Sequence, residues 1–232
     1  MKTNFSFSKI LMGFFAFIAG MIVVRYIYSN GHGFVFLVWN LFLAWIPFTV
    51  STLFKKVEAA VIWKQLAVFF IWLLFFPNAL YIVTDLIHLD METSVPKWFD
   101  AVLLFSSCIT GLLMAFVSLL RVEHFLSKKF DPVRVHALMV IILFASSFGV
   151  YLGRFLRWNS WDVINHPVGL LSSIGKRIIF PLDYLQTWGI TVMLTVLFYL
   201  LYYAIKKLPG YINQAGKCQD GFKPSDTSSK GV

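Results

Sequence analysis

The chain has 232 residues, of which 59% are apolar, 18% aromatic and only 13% charged, and its mean hydropathy is +0.75. Soluble globular domains carry about 25% charged residues, so this balance excludes the soluble classes and indicates a bilayer protein. The two cysteines, Cys108 in an apolar run and Cys218 in the polar tail, give no basis for a disulfide framework.

Crossing a hydrocarbon core of about 30 Å takes roughly 20 predominantly apolar residues in a helix. Six stretches meet that requirement, at 10–28, 34–54, 65–87, 101–120, 135–155 and 179–203. Their apolar runs are long and unalternating, which predicts helices and not barrel strands. The fold expected is therefore all-α, a polytopic membrane bundle of six transmembrane helices. The first run follows MKTNFSFSK. It is longer than a signal-peptide core of about 7–15 residues and no small-x-small cleavage pattern follows, so it reads as a retained span. The third run ends in FFPNALYIVTDLIHLD (75–90), where Pro77 removes a backbone donor and frees a carbonyl one turn back, beside Asn78. Between the fifth and sixth spans lies RWNSWDVINHPVGLLSSIGK (157–176). Its tryptophans and scattered apolar residues suit the membrane interface. After Pro209-Gly210 the sequence loses periodicity and turns to Gly, Ser and Lys. Residues 1–209 are thus expected to form the transmembrane domain and 210–232 a flexible cytoplasmic tail.

Charge orients the bundle. With both termini cytoplasmic, 14 basic residues fall inside and 6 outside (Arg25, Lys97, Arg154, Arg157, Lys176 and Arg177). Six acidic residues make the outer side formally neutral, so the whole net charge of +9 lies inside. The positive-inside rule favours this arrangement and requires an even number of spans. The expected partners are the lipid bilayer and anionic phospholipid, and no nucleic acid is needed to explain the charge. The expected location is a cell membrane, multi-pass.

Helical rise of about 1.5 Å per residue converts separation into depth. Asp85 stands 20 residues beyond Gln65, Arg154 20 beyond Arg134, and Asp183 23 before Lys206. Three spans thus deliver Asp, Arg and Asp to one level, about 30–35 Å from the inner boundary. Arg25 and Asn40 arrive slightly deeper. Asn78, Tyr81 and Asp85 share a helix face by their spacing, and His88 adds a turn. Arg154, Arg157 and Trp161 repeat that spacing, as do Asp183 and Gln186.

The stretches FPNALYIVTDLIHL (76–89) and RFLRWNSWD (154–162) resemble the predicted multi-spanning bacterial membrane proteins of domain-of-unknown-function family 1361. The resemblance covers nearly the whole chain except the tail. Its distinctive positions here would be Pro77, Asn78, Tyr81, Thr84, Asp85, His88, Arg154, Arg157, Asn159, Trp161 and Asp162. It implies an integral membrane protein, expected in the bacterial inner membrane, and no assigned activity.

The functional reading is an outward-facing polar pocket for an anionic lipid or cell-envelope substrate. Asn78, Tyr81, Arg154, Arg157, Trp161, Asp162, Asp183 and Gln186 would line it, with the arginines holding phosphate or carboxylate. If the site is catalytic, Asp85 is the base and His88 its helper. Alternatives are a structural ion pair of Asp85 or Asp183 with Arg154 or Arg25, a transporter or channel component, and an assembly subunit of a membrane complex. A homo-oligomer or a membrane partner protein fits either of the last two. No cofactor is expected. A divalent metal at Asp85, His88, Asp90, Glu92 and Asp183 is left open, although HExxH is absent and His166 would have to fold back. Ser160 and Ser172 lack GxSxG context. The middle depths hold Ser106, Ser107, Thr110, Ser146, Ser147 and Thr195, which suit helix packing better than an ion path.

Overall fold

The computed structural model describes residues 3–29, 33–90 and 95–220, with side chains for 7–29, 33–89, 95–212 and 214. Nine α-helices are described. They are α1 (Thr3–Ser29), α2 (Phe36–Val50), α3 (Leu53–Val57), α4 (Ile62–Tyr81), α5 (Lys97–Ser127), α6 (Pro132–Leu156), α7 (Asp162–Asn165), α8 (Pro167–Ile179) and α9 (Leu185–Asp220). Two 3-10 helices, Ile82–Asp90 and Pro181–Tyr184, continue α4 and lead into α9.

Six segments are long and apolar enough to cross a membrane: Phe7–Ser29, Phe36–Val57, Ile62–Leu89, Lys97–Ser127, Pro132–Leu156 and Pro181–Ile212. The protein is a six-helix multi-pass membrane bundle. Helix α9 runs past the expected boundary at 209, through Pro209 and Gly210 to Asp220. The remainder of the expected tail, 221–232, lies outside the described residues.

Helix α5 is the centre. Its apolar window is 67% buried, against 22% for the first and last spans. Helices α1, α2 and α4 and the longer 3-10 helix pack around it, while α6 lies on α4 and carries α9 on its other side. Small residues let the backbones approach, as membrane bundles require. Ser106, Ser107 and Thr110 of α5 are buried and donate to the carbonyls of Val102, Leu103 and Ser106, so they present no free proton to a path. Trp72 stacks on Phe76 with centroids 4.5 Å apart and donates its indole N–H to Ser118 Oγ at 3.3 Å. That bond satisfies the one polar atom of a fully buried ring.

Two local features position the site. A Cβ on Gly149 would lie 3.0 Å from Pro77 Cγ, and one on Gly153 would lie 3.3 Å from Tyr81 Cε2. This Gly-x-x-x-Gly face lets α6 press onto α4 where Pro77 interrupts its ladder. Beyond Tyr81 the chain tightens to about three residues per turn, which eclipses residues three apart. Ile82, Asp85 and His88 therefore stand in one column, and Ile82 and Asp85 are buried against α5. The tighter winding also lengthens the segment. Asp85 stands about 12 Å beyond Asn78 along the axis, where continued α winding would give about 10 Å.

The turns 57–62 and 127–132 lie at one end of the bundle, with Lys55, Lys56, Lys64, Arg121, Lys128, Lys129 and Arg134 at or near them. This is the basic end of the bundle. Asp85, Arg154 and the α7–α8 connection lie at the other.

Candidate functional site

Asp85 is 1% exposed, and both of its oxygens accept hydrogen bonds. Asn40 Nδ2 of α2 donates to one at 2.7 Å, and Arg154 of α6 donates to the other at 3.3 Å. Both terminal nitrogens of the guanidinium are engaged. The nitrogen that donates to Asp85 also donates to Tyr81 Oη at 3.1 Å, and the second terminal nitrogen donates to the Thr84 carbonyl at 2.9 Å. That nitrogen also lies 3.1 Å from His88 Nε2. A guanidinium can only donate, so Nε2 accepts there and is unprotonated. The His88 ring also packs on Phe36, centroids 4.8 Å apart.

Next to this cluster is a cleft of about 300 Å³, bounded by α2, α4, α6 and the α7–α8 connection. Its polar lining comes from Asn40, Asn78, Tyr81, Asn159 and Ser160, and Trp39 and Trp158 lie on its walls. Ser160 enters beside Pro77. Ser160 Oγ donates to the Leu74 carbonyl at 3.1 Å, in the turn before the proline, and accepts from Asn78 Nδ2 at 2.9 Å. Asn78 Nδ2 also donates to the Phe75 carbonyl at 3.1 Å. A Cβ on Gly169 would lie 3.1 Å from Trp158 Cη2, so the bare α-carbon lets α8 pack closely on that ring.

The remaining expected residues divide. Helix α6 ends at Leu156, and Arg157 adopts the left-handed cap conformation at φ 60°, exposed to solvent. Helical spacing therefore stops before Arg157, which does not join Arg154. Trp161 meets Trp39 edge-on, with centroids 6.2 Å apart. Asp162 is spent locally, accepting from the Asn159 backbone N–H at 2.7 Å. Asp183 and Gln186 are both exposed, one in the short 3-10 helix and one in α9. Among the described residues no hydrogen bond or ion pair connects either to Asp85 or Arg154, so of the three spans expected to converge the sixth is missing, and the third and fifth are joined instead by Asn40 from the second.

Arg25 also departs from expectation. Its partner is Asp100 of α5, bound through two bonds of 2.7 and 3.1 Å, and both are buried. A third bond runs to the Gly33 carbonyl at 3.1 Å, and the guanidinium covers the Phe34 ring at 4.3 Å. Among the described residues no three His, Cys, Asp or Glu side chains gather as a metal site. The Asp90 side chain and Glu92 lie outside those residues.

The two stretches that carry the resemblance, in the third and fifth spans, thus meet through Asn78–Ser160 and Asp85–Arg154. A family model described as a protein of unknown function, DUF1361, matches residues 39–201. The chain belongs to that family. DUF1361 groups predicted multi-spanning bacterial membrane proteins, and the match includes the Asp85 cluster, the whole cleft and Asp100. No curated protein and no solved structure matches the chain.

For this DUF1361 chain, sequence reasoning passed over Asp100, Trp39 and Trp158 and gave Asn40 and Ser160 no place in the site. Asn40 carried a signal as the one amide in an otherwise apolar span. The tryptophans carried none, because a tryptophan at a span end reads as an interface anchor.

Proposed function

We propose that the cleft binds the head of an uncharged, hydroxyl-rich amphiphile whose chain lies in the bilayer, at the outer face of a bacterial cell membrane. The observation that carries this reading is the chemistry of the lining. Asp85, Arg154, Arg157 and Asp162 are not part of it, so it presents hydrogen-bonding groups and no net charge. Asn40 and Asn78 are oriented by bonds through their Nδ2 atoms, and among the described residues no donor reaches either Oδ1. Tyr81 Oη accepts from Arg154, which leaves its own proton to donate. A sugar-like head supplies the matching hydroxyls, and Trp39 and Trp158 supply flat faces for its C–H groups.

Asp85 then acts as a positioning residue. Its carboxylate turns the Asn40 amide so that the carbonyl side is available to the cleft. The ion pair with Arg154 links α6 to the 3-10 helix. Its burial and complete pairing favour this role over a general base, and the engagement of Arg154 favours a neutral head over an anionic one.

The test uses protein purified in lauryldimethylamine oxide, whose head carries no sugar. Retention of a glucosyl diacylglycerol, phosphatidylcholine and phosphatidylglycerol is compared by native mass spectrometry. The glycolipid should be retained preferentially, and Asn159→Ala and Trp39→Ala should remove the preference without lowering the melting temperature. Equal retention of all three lipids, or lining variants that bind as the parent does, would refute the reading.

A further inference from the structure

A second cavity of about 500 Å³ opens at the basic end, between α2–α3 and the last turns of α5. Lys55, Arg121, His124 and Lys128 contribute to its lining, with apolar surface from Val117 and Leu120. Arg121 decides its chemistry. One terminal nitrogen of the half-buried guanidinium donates to the Phe48 carbonyl at 3.1 Å and to Ser51 Oγ at 3.0 Å. The group lies 4.6 Å from the centroid of the Phe48 ring, so its plane is fixed. Yet among the described residues no carboxylate forms an ion pair with it.

The carboxylate that lines the cavity, Glu58, is taken by Lys128, with Nζ–Oε1 at 2.7 Å and Nζ–Oε2 at 2.9 Å. That hydrogen bond holds the Glu58 carboxyl below its ordinary range, so it stays ionised and neutralises Lys128 at neutral pH. Lys55 and Arg121 are left facing one cavity without a counter-ion among the described residues. Withdrawing a cation from water without a counter-charge is unfavourable, and a guanidinium with uncommitted donors matches the oxygens of a phosphate.

We infer that this cavity binds the phosphate of an anionic phospholipid, with Arg121 and Lys55 as its ligands. The apolar wall decides between lipid and free phosphate. Val117 and Leu120 belong to the membrane-spanning part of α5, so a phosphate seated on Arg121 has its acyl chains directed along that wall. Basic pockets between spans recognise phospholipid heads in this manner. The site is independent of the cleft at the other end.

The experiment measures phosphatidylglycerol retained against phosphatidylcholine in mixed micelles, by native mass spectrometry. Lys55→Gln should weaken retention about fivefold, the equivalent of roughly one charge contact near a membrane surface. Glu58→Gln should strengthen it, because the competing carboxylate is neutralised. Lys56→Gln is the control, since Lys56 sits on the next residue and does not line the cavity. Arg121→Gln should abolish the preference; if it fails to fold, the Lys55 and Glu58 variants decide alone. Equal losses from Lys55→Gln and Lys56→Gln would mean diffuse surface attraction and overturn the site. Displacement of the lipid by inorganic phosphate alone would assign the cavity to the free anion and overturn the lipid reading. No change in Lys55→Gln would do the same.

Discussion

The Arg25–Asp100 pair gives the most quantitative prediction. Both residues are at least 95% buried, and the pair joins the first span to the central one through two charge-assisted bonds. Arg25→Met leaves the Asp100 carboxylate without its guanidinium partner, and Asp100→Leu leaves a buried guanidinium that keeps, among the described residues, the Gly33 carbonyl and the Phe34 ring. Removing one member of a buried pair costs about 3–5 kcal/mol. At roughly 2–4 °C per kcal/mol for a chain of this length, each single variant should melt on the order of 10 °C lower. The double variant replaces both charges by apolar groups and should recover most of that loss, since such replacements are often neutral. The assay is thermal unfolding of all four proteins in one detergent, read as a double-mutant cycle. Singles within about 1 kcal/mol of the parent, or a double equal to the sum of the singles, would show that the pair is solvated and would refute the reasoning.

Two further outcomes follow from packing and from charge. A Cβ on Gly111 would fall 2.5 Å from Ile82 Cγ2 and 3.2 Å from the Ala79 carbonyl, so Gly111→Ala should destabilise by about 1–3 kcal/mol. Gly13→Ala in α1, where nothing lies within 4 Å, should be neutral or stabilising by up to about 1 kcal/mol; the opposite ranking in a melting series would contradict the α5 packing. For orientation, single cysteines at Glu92 and Ser127 in a Cys108- and Cys218-free background should label from outside and stay protected, respectively. The reverse pattern would place the Asp85 end in the cytoplasm and overturn the outer-face assignment.

The spans were legible because length and hydropathy are properties of the sequence alone. The meeting of Asp85 with Arg154 was legible because helical rise fixes height. Rise says nothing of azimuth, however, and that is where Asp183 and Gln186 departed: both side chains are exposed, Asp183 in the short 3-10 helix before α9 and Gln186 in the first turn of α9. The spacing rule also fails once a helix ends. Arg157 follows Arg154 by three residues, but the left-handed turn at its own α-carbon redirects it. Asp100 was invisible for a different reason. Nothing in KWFDAV distinguishes a carboxylate that meets a distant arginine from one that faces water, since the partner comes from a helix 75 residues away.

The nine-residue 3-10 segment after Tyr81 has a mechanical consequence. Runs of this winding longer than three or four residues are uncommon, because α winding makes better hydrogen bonds. Rewinding from Ile82 to His88 as α-helix would turn His88 by about 120° about the axis and draw it in by about 3 Å. His88 would swing off Arg154, and Asp85 would rotate out of the column it shares with Ile82 against α5. The guanidinium grips the segment at two separate heights, through Asp85 and His88, so it resists both the rotation and the shortening. Arg154 therefore works as a detent on a screw thread: it holds the pitch of the third span, and the pitch in turn holds the ion pair.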